Sequence, residues 1–483
     1  MATAADVAFL DNALAQLEGV RRWTPRTISK LEALISSDDP WDVYRVDPPT
    51  FAAEKGISEQ EAIDLFLHAS HLGVFHMEWR LVCPLCTDTV SSCKSMSTVR
   101  SRCYCQLCQR SVEVNLDDFI AVSFNLSPRV REMPWHKPES LSVEELMLRY
   151  RIDRRAMLPG LGPFGEVIRQ FSRLAEYLEP GDTRTVEAEM PPGWAAVLFD
   201  ASASHTVILP VRESGRAAVQ ANLSDEGWQV EADSIAPGKV SITVNNRASR
   251  RVPIVLMTRP DDEDDDKGSG VQMGPFLNGN RLLNNQTFRT LFRAETLATG
   301  EGVGVRDLTL LFTDLKGSTE LYERVGDLSA FALVQQHFEH LRRAVMEQDG
   351  AVVKTIGDAV MASFVKPEQA VKAALSMFRE IEQFNQHRGT RDLILKVGAH
   401  RGHSIAVTLN DRLDYFGQTV NIASRVQSAA AADELCLTDD MYSDPGVQQA
   451  LEGREAVREM AQLKGIAATV PIRRIPIRQN PRP

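Results

Sequence analysis

Long apolar runs are missing from this chain. No uninterrupted apolar stretch approaches the ~20 residues that a membrane-spanning helix needs, and the opening MATAADVAFLDNALAQ carries acids where a secretory signal would be apolar. A cytoplasmic protein without a membrane partner is the expectation. Cysteine is scarce as well: there are seven in 483 residues, six of them between Cys83 and Cys108. That clustering excludes a disulfide framework spread along the fold. A basic excess is also absent, with 54 Lys and Arg against 65 Asp and Glu and a net charge of −11. This excludes phosphate-backbone binding by the chain as a whole. No internal repeat of solenoid or propeller period is present.

The length exceeds what one core usually serves, so about two to four domains are expected. Residues 1–78 read as helical: Leu10, Leu14 and Leu17 share a face, and SEQEAIDLFLHASHLG offers a cap at Ser58 and a stop at Gly73. Residues 79–120 hold Cys83-Pro84-Leu85-Cys86 and, eighteen residues later, Cys105-Gln106-Leu107-Cys108. Two such knuckles point four thiolates at one ion, the pattern of a closed, structural Zn²⁺ ribbon. Cys103 is an alternative to Cys105 as the fourth ligand. Only Lys94, Arg100, Arg102 and Arg110 lie nearby as basic residues, so a nucleic-acid partner is not expected.

Residues 121–180 return to helical periodicity in VEELMLRY and FGEVIRQFSRLAEYL. From 181 to 260 the period changes to two; in KVSITVNN, for example, Val240, Ile242 and Val244 alternate with Ser241 and Thr243. Short antiparallel strands at this spacing suggest a β-sandwich-like domain without a catalytic constellation. DDEDDDKGSG opens a stretch, 261–306, read as acidic linker and connector between two functional halves.

The chemistry lies in the last third, 307–475, where strands and helices alternate as in an α+β sandwich. LLFTDLKGSTELYERVG reads as a buried strand ending on Asp314, a turn, and a helix starting at Ser318. AVVKTIGDAVMASF reads as a hairpin turning near Ile356 and Gly357, with Lys354 and Asp358 on its two arms. Carboxylates converging at strand tips suit hard divalent cations. Asn421 and Arg425, four apart on a helix, share a face that is able to clamp a phosphate, and Lys354 and Lys464 add positive charge. His400 and His403 read as packing residues.

FTDLKGST, VVKTIGDAVMASF, LDYFGQTVNIASR and QLKG, in this order, resemble the class III nucleotidyl cyclase catalytic domain over roughly residues 307–474. WRLVCPLC and FLHASHLGVF further resemble bacterial cyclases that carry a zinc-ribbon and β-rich region before that domain. The resemblance implies a ferredoxin-like catalytic fold. It implies that Asp314 and Asp358, with the carbonyl of Leu315, bind two Mg²⁺ or Mn²⁺ ions. It implies that Lys354 and Asp414 select the purine, Asn421 orients the ribose, Arg425 stabilises the transition state and Lys464 binds the triphosphate. HRGHSIAVTLNDRLDYFG lacks the glycine-rich turn common in relatives, so the register of Asp414 is taken from YFGQTVN. The implied activity is an adenylate cyclase making 3′,5′-cyclic AMP from ATP in a head-to-tail homodimer, with the N-terminal half regulatory. Alternatives are a cyclase of GTP or a pyrimidine nucleotide, and a catalytically silent binding protein of the same fold.

Overall fold

The computed structural model describes residues 4–83, 87–106, 110–202, 205–261 and 270–477. The N-terminal helices are Ala4–Val20, Thr27–Ile35, Pro48–Lys55 and Glu59–His71. Each of the last two starts where the sequence supplies an acceptor: Asp47 accepts from Thr50 N, and Ser58 from Glu61 N. Glu59–His71 buries Ile63, Leu65, Phe66 and Leu67. It packs on a three-stranded sheet in the order Thr89–Cys93, Phe75–Val82, Ile120–Leu126.

Three sequence readings change here. Phe75–Val82, whose second half was placed in a separate ribbon, is the central strand of the N-terminal sheet, because Trp79 and Leu81 on it are core residues. Within 121–180 helix is confined to the VEELMLRY segment, Phe164–Phe171 and two three-residue 3-10 turns, Pro134–His136 and Pro138–Ser140. Ile120–Leu126 and Ser172–Leu178 are strands. Ser172–Leu178 pairs antiparallel with Val252–Pro260, a partner 80 residues on in Cα register (Ser172 to Met257, Leu178 to Val252), and those ladder bonds override the local helical period. Finally, the part of 261–306 that is described packs into the core: Leu277, Leu282 and Phe288 are fully buried among N-terminal residues. The charged run 262–269 lies outside the described residues.

The β-sandwich reading corresponds to two four-stranded sheets. One runs Thr206–Arg216, Trp194–Asp200, Val252–Pro260, Ser172–Leu178; the other runs Gly227–Val230, Ala218–Ser224, Gly238–Asn246, Thr183–Met190. Val240, Ile242 and Val244 all face the shared core. One pair, Ala218–Ser224 with Gly238–Asn246, is parallel where antiparallel pairing was expected.

The C-terminal region is built on an eight-stranded sheet. Its order is Ala351–Ile356, Ala359–Phe364, Gly302–Leu315, Leu395–Leu409, Glu434–Thr438, Val470–Pro476, Val457–Ala461, with Arg412–Phe416 pairing to the far part of Leu395–Leu409. Helices Asp327–Met346 and Pro367–Arg388 cover one face through Leu311, Val345, Met377 and Leu395. On the other face Leu308, Leu310, Phe312 and Met361 join a single core with Leu116, Ile120, Leu277 and Phe288. Burial on both faces is why LTLLF reads as a continuous apolar run without alternation. Hydrogen bonds stitch the two regions as well: Leu116 N donates to Gly304 O at 2.9 Å, and Arg306 N to the side-chain Asp117 Oδ2 at 2.8 Å.

Candidate functional site

Asp314 is the penultimate residue of Gly302–Leu315. Beside it Thr313 is buried, and its Oγ1 accepts from Val360 N at 3.0 Å, pinning the strand to its neighbour. The adjoining hairpin closes with Ile356 opposite Ala359, leaving Gly357 and Asp358 as the two-residue turn. Gly357 sits at φ +63°, a left-handed conformation that glycine adopts without strain. The ladder pairs Phe312 with Met361; carried three residues further, it sets Leu315 level with Asp358. The two acids therefore stand at adjacent tips of one sheet.

Their surroundings differ from those of ordinary loop acids. Asp358 Oδ2 is buried and has no hydrogen-bond partner among the described residues. A buried, unsatisfied carboxylate oxygen is costly. Asp314, about one-third exposed, has Lys396 Nζ at 3.3 Å, and Lys396 is its direct partner in the ladder. The sequence reading missed Lys396; the signal was a lone ammonium inside the apolar strand LILKVGA. His337 lies fully buried against the Asp358 backbone, and burial pushes its pKa down to about 4, so the imidazole is neutral at pH 7. An orphaned carboxylate oxygen beside a second carboxylate held only by an ammonium fits a divalent cation with oxygen ligands. Asp314, Asp358 and the carbonyl of Leu315 are the residues that would hold it. Among the described residues no group of three or more His, Cys, Asp or Glu is arranged to hold a metal.

Lys354 and Asp414, sixty residues apart, meet at 2.5 Å. Asp414 is almost fully buried and its other oxygen accepts from Tyr415 N at 2.8 Å. Its position follows from a hairpin in which Asn410 and Asp411 both adopt positive φ, 51° and 57°, joining Leu395–Leu409 to Arg412–Phe416. Asn and Asp tolerate that conformation better than most residues. His400 bonds Thr438 Oγ1 at 2.9 Å, and burial lowers its pKa to about 4, as befits a packing residue.

Asn421 and Arg425 project from Gln418–Ala429 on one exposed face. The helix rests on the sheet through Gly398: a Cβ there would lie 2.1 Å from Gln427 N. Lys464 is exposed beside Gly465, after Val457–Ala461. Among the described residues no hydrogen bond or ion pair links Asn421, Arg425 or Lys464 to the Asp314 and Asp358 tips or to the Lys354–Asp414 pair. The chain thus presents two sets of groups.

At the cysteines, Cys83 follows Phe75–Val82 and Cys105 ends Arg102–Cys105, both buried. Burial, then the thiols of Cys83 and Cys105, raise the Cys103 pKa to about 11, and these three cysteines form no group arranged to hold a metal among the described residues. Cys86 and Cys108 lie outside the described residues.

Comparison with known proteins places both regions. Residues 10–290 match a family described only as a family of unknown function, DUF5939. The chain belongs to this family. Residues 304–465 of this DUF5939 protein match the adenylate and guanylate cyclase catalytic domain, so its C-terminal region is a nucleotidyl cyclase domain. An adenylate cyclase of Anabaena cylindrica is 30% identical over 135 residues, 25% of this chain and 27% of that protein. One of Neurospora crassa is 31% identical over 157 residues, 28% of this chain and 7% of that protein. The chain therefore spans well under two thirds of these relatives. The crystal structure of a P. aeruginosa adenylyl cyclase is 24% identical, matching 36% of this chain and 95% of that one with a TM-score of 0.32. Among the described residues no helix is long and apolar enough to cross a membrane.

Proposed function

We propose that this protein converts ATP to 3′,5′-cyclic AMP and pyrophosphate at a site completed by two copies of the chain. The observation that carries the reading is the orphaned Asp358 Oδ2 beside Asp314 on adjoining strand tips, a pair of carboxylates whose chemistry suits a divalent cation. Two Mg²⁺ or Mn²⁺ ions held there would acidify the ribose 3′-hydroxyl and neutralise the triphosphate. The 3′-oxygen attacks the α-phosphorus in line, the new P–O bond forms as the bond to the β-phosphate oxygen breaks, and pyrophosphate departs. Arg425 supports the charge developing on the equatorial oxygens, Asn421 orients the ribose, and Lys464 binds the triphosphate. Lys396 offers further positive charge beside Asp314.

The Lys354–Asp414 pair supports adenine. The ammonium donates to N1 and the carboxylate accepts from the exocyclic amine, whereas guanine would present a donor and an acceptor the wrong way round. A second copy is favoured because the exposed Asn421–Arg425 face has no link to the metal-binding tips of its own subunit. Ile405 and Phe416, 41% and 64% exposed, are cross-strand partners just before that helix and supply an apolar contact for it. The two Cys-x-x-Cys pairs of the sequence support a structural Zn²⁺ held by Cys83, Cys86, Cys105 and Cys108, with the N-terminal region acting as regulator.

The test is product formation by the full chain with ATP, GTP, CTP and UTP under Mn²⁺. Cyclic AMP as the main product is expected. Cyclic GMP or a cyclic pyrimidine nucleotide as the main product would reassign the base, and no product from any of the four would indicate a silent binding protein.

A further inference from the structure

One short helix, Gln286–Leu291, packs into the N-terminal core and bonds the two strands that carry Lys354 and Asp414. Towards the N-terminal core it buries Phe288 completely, edge-on to the fully buried Trp79 with ring centroids 5.9 Å apart. Its capping residue Asn285 donates to Asp64 Oδ1 at 3.1 Å. Towards the catalytic sheet, Gln286 Oε1 accepts from Val352 N at 2.8 Å, two residues before Lys354. Arg289 spans to the other strand of the pair. Its Nε donates to Leu283 O at 2.6 Å, its Nη1 donates to Leu413 O at 3.0 Å, and its guanidinium stands 5.5 Å from the Tyr415 ring centroid.

Leu413 and Tyr415 are the two chain neighbours of Asp414. Arg289 therefore holds the peptide unit before Asp414 through the Leu413 carbonyl, and lies over the ring of the residue after it, without touching the Asp414 carboxylate. A carboxylate that must accept from one face of a base needs its backbone fixed, since a small misplacement costs selectivity. The ring face of Tyr415 also accounts for Arg289 Nη2, a buried nitrogen with no hydrogen-bond partner among the described residues.

We infer that Arg289 is a positioning residue for nucleotide selection, and that Gln286–Leu291 ties base choice to the seating of the DUF5939 region. This rests on the reading of Lys354 and Asp414 as the base-selecting pair. It gives the family region a task that a passive spacer would not have: releasing Phe288 from Trp79 would loosen both strands that carry the pair.

The experiment compares full-length wild type, Arg289→Ala, Arg289→Lys, Gln286→Ala and Asp414→Ala. It reads the ratio of kcat/KM for ATP over GTP, and the displacement of a fluorescent ATP analogue by each nucleotide. Arg289→Ala is expected to narrow both ratios roughly 3- to 30-fold. Gln286→Ala, which removes one bond to Val352, should shift them the same way by less, and Arg289→Lys should restore part of the loss by keeping a cation over Tyr415. Unchanged ratios in Arg289→Ala, whatever happens to the rate, overturn the inference. If that variant does not fold, unchanged ratios in both Gln286→Ala and Arg289→Lys do so. Altered ratios in Asp414→Ala alone refute the role of Arg289 and leave the cyclase reading standing. No change in Asp414→Ala refutes the base-selecting pair and this inference together.

Discussion

The two regions treat charge in opposite ways. In the DUF5939 region ionised side chains are taken inside and paired with one another. Arg45 meets Glu78 through Nε and Nη2 at 3.2 and 3.1 Å. The fully buried Arg80 meets Asp153 at 2.8 Å, and Arg155 bridges Asp153 and Asp47 at 2.7 and 2.8 Å. In the cyclase region Asp358 Oδ2 at the strand tip has no hydrogen-bond partner among the described residues, and Asn421 and Arg425 face outward. Mutually paired charges fix an architecture, because removing one member strands the other in a low dielectric, even though Arg80 Nε and Nη1 have no hydrogen-bond partner among the described residues. Under-satisfied charges at the edge of a sheet cost stability and remain available to a ligand. The contrast separates scaffold from site before any relative is consulted.

The largest effect should come from the under-satisfied side. Asp358→Asn is expected to lower cyclase turnover about a thousandfold or more, while its thermal midpoint stays level or rises, because an unpartnered buried charge has gone. A midpoint falling with the activity would make Asp358 a scaffold residue and break the contrast. On the paired side the expectation reverses. Glu78→Gln should destabilise the chain by about 3–5 kcal/mol in denaturant unfolding, since Arg45 and Arg80 lose their shared counter-charge.

The same carboxylate sets an acid limit. Burial alone would raise its pKa, but Arg45 and Arg80 override this and lower it from 4.5 to about 2. A depressed folded-state value means that its contribution is complete above pH 4.5 and is lost as the pH falls towards 2. Urea midpoints of the wild type should therefore drop between pH 5 and pH 3, and Glu78→Gln should lack that part of the drop. The smallest effect should come from a charge pair of neither kind. Arg102 and Glu113 meet at 2.9 Å but are about four-fifths exposed, so Arg102→Ala should change stability by less than about 0.5 kcal/mol.

Much of the site was legible because its chemistry is local. A strand carrying Asp314 at its tip, a hairpin presenting Asp358, and Asn421 with Arg425 four apart are all short-range patterns; Asp314, Asn421 and Arg425 lie on the elements expected of them, while Asp358, read as part of the second arm, sits in the turn. What escaped was set by distant partners. Lys396 gained meaning only once the ladder set it opposite Asp314. SRLAEYL continued a helical period on paper, yet it serves as an edge strand against Val252–Pro260. Residues 277–292 looked like connector, but their apolar side chains complete a core assembled from both regions, which no window of sequence displays.

The claim that the site is completed by two copies is tested most directly by mixing. Asp314→Ala and Arg425→Ala, each purified as the full chain, should be silent alone under Mn²⁺ and ATP. Refolded or co-expressed together, they should regain roughly a quarter of wild-type cyclic AMP production, because half of the randomly formed dimers carry one intact site of two. A mixture as silent as its components, with dimers present, would contradict the shared site.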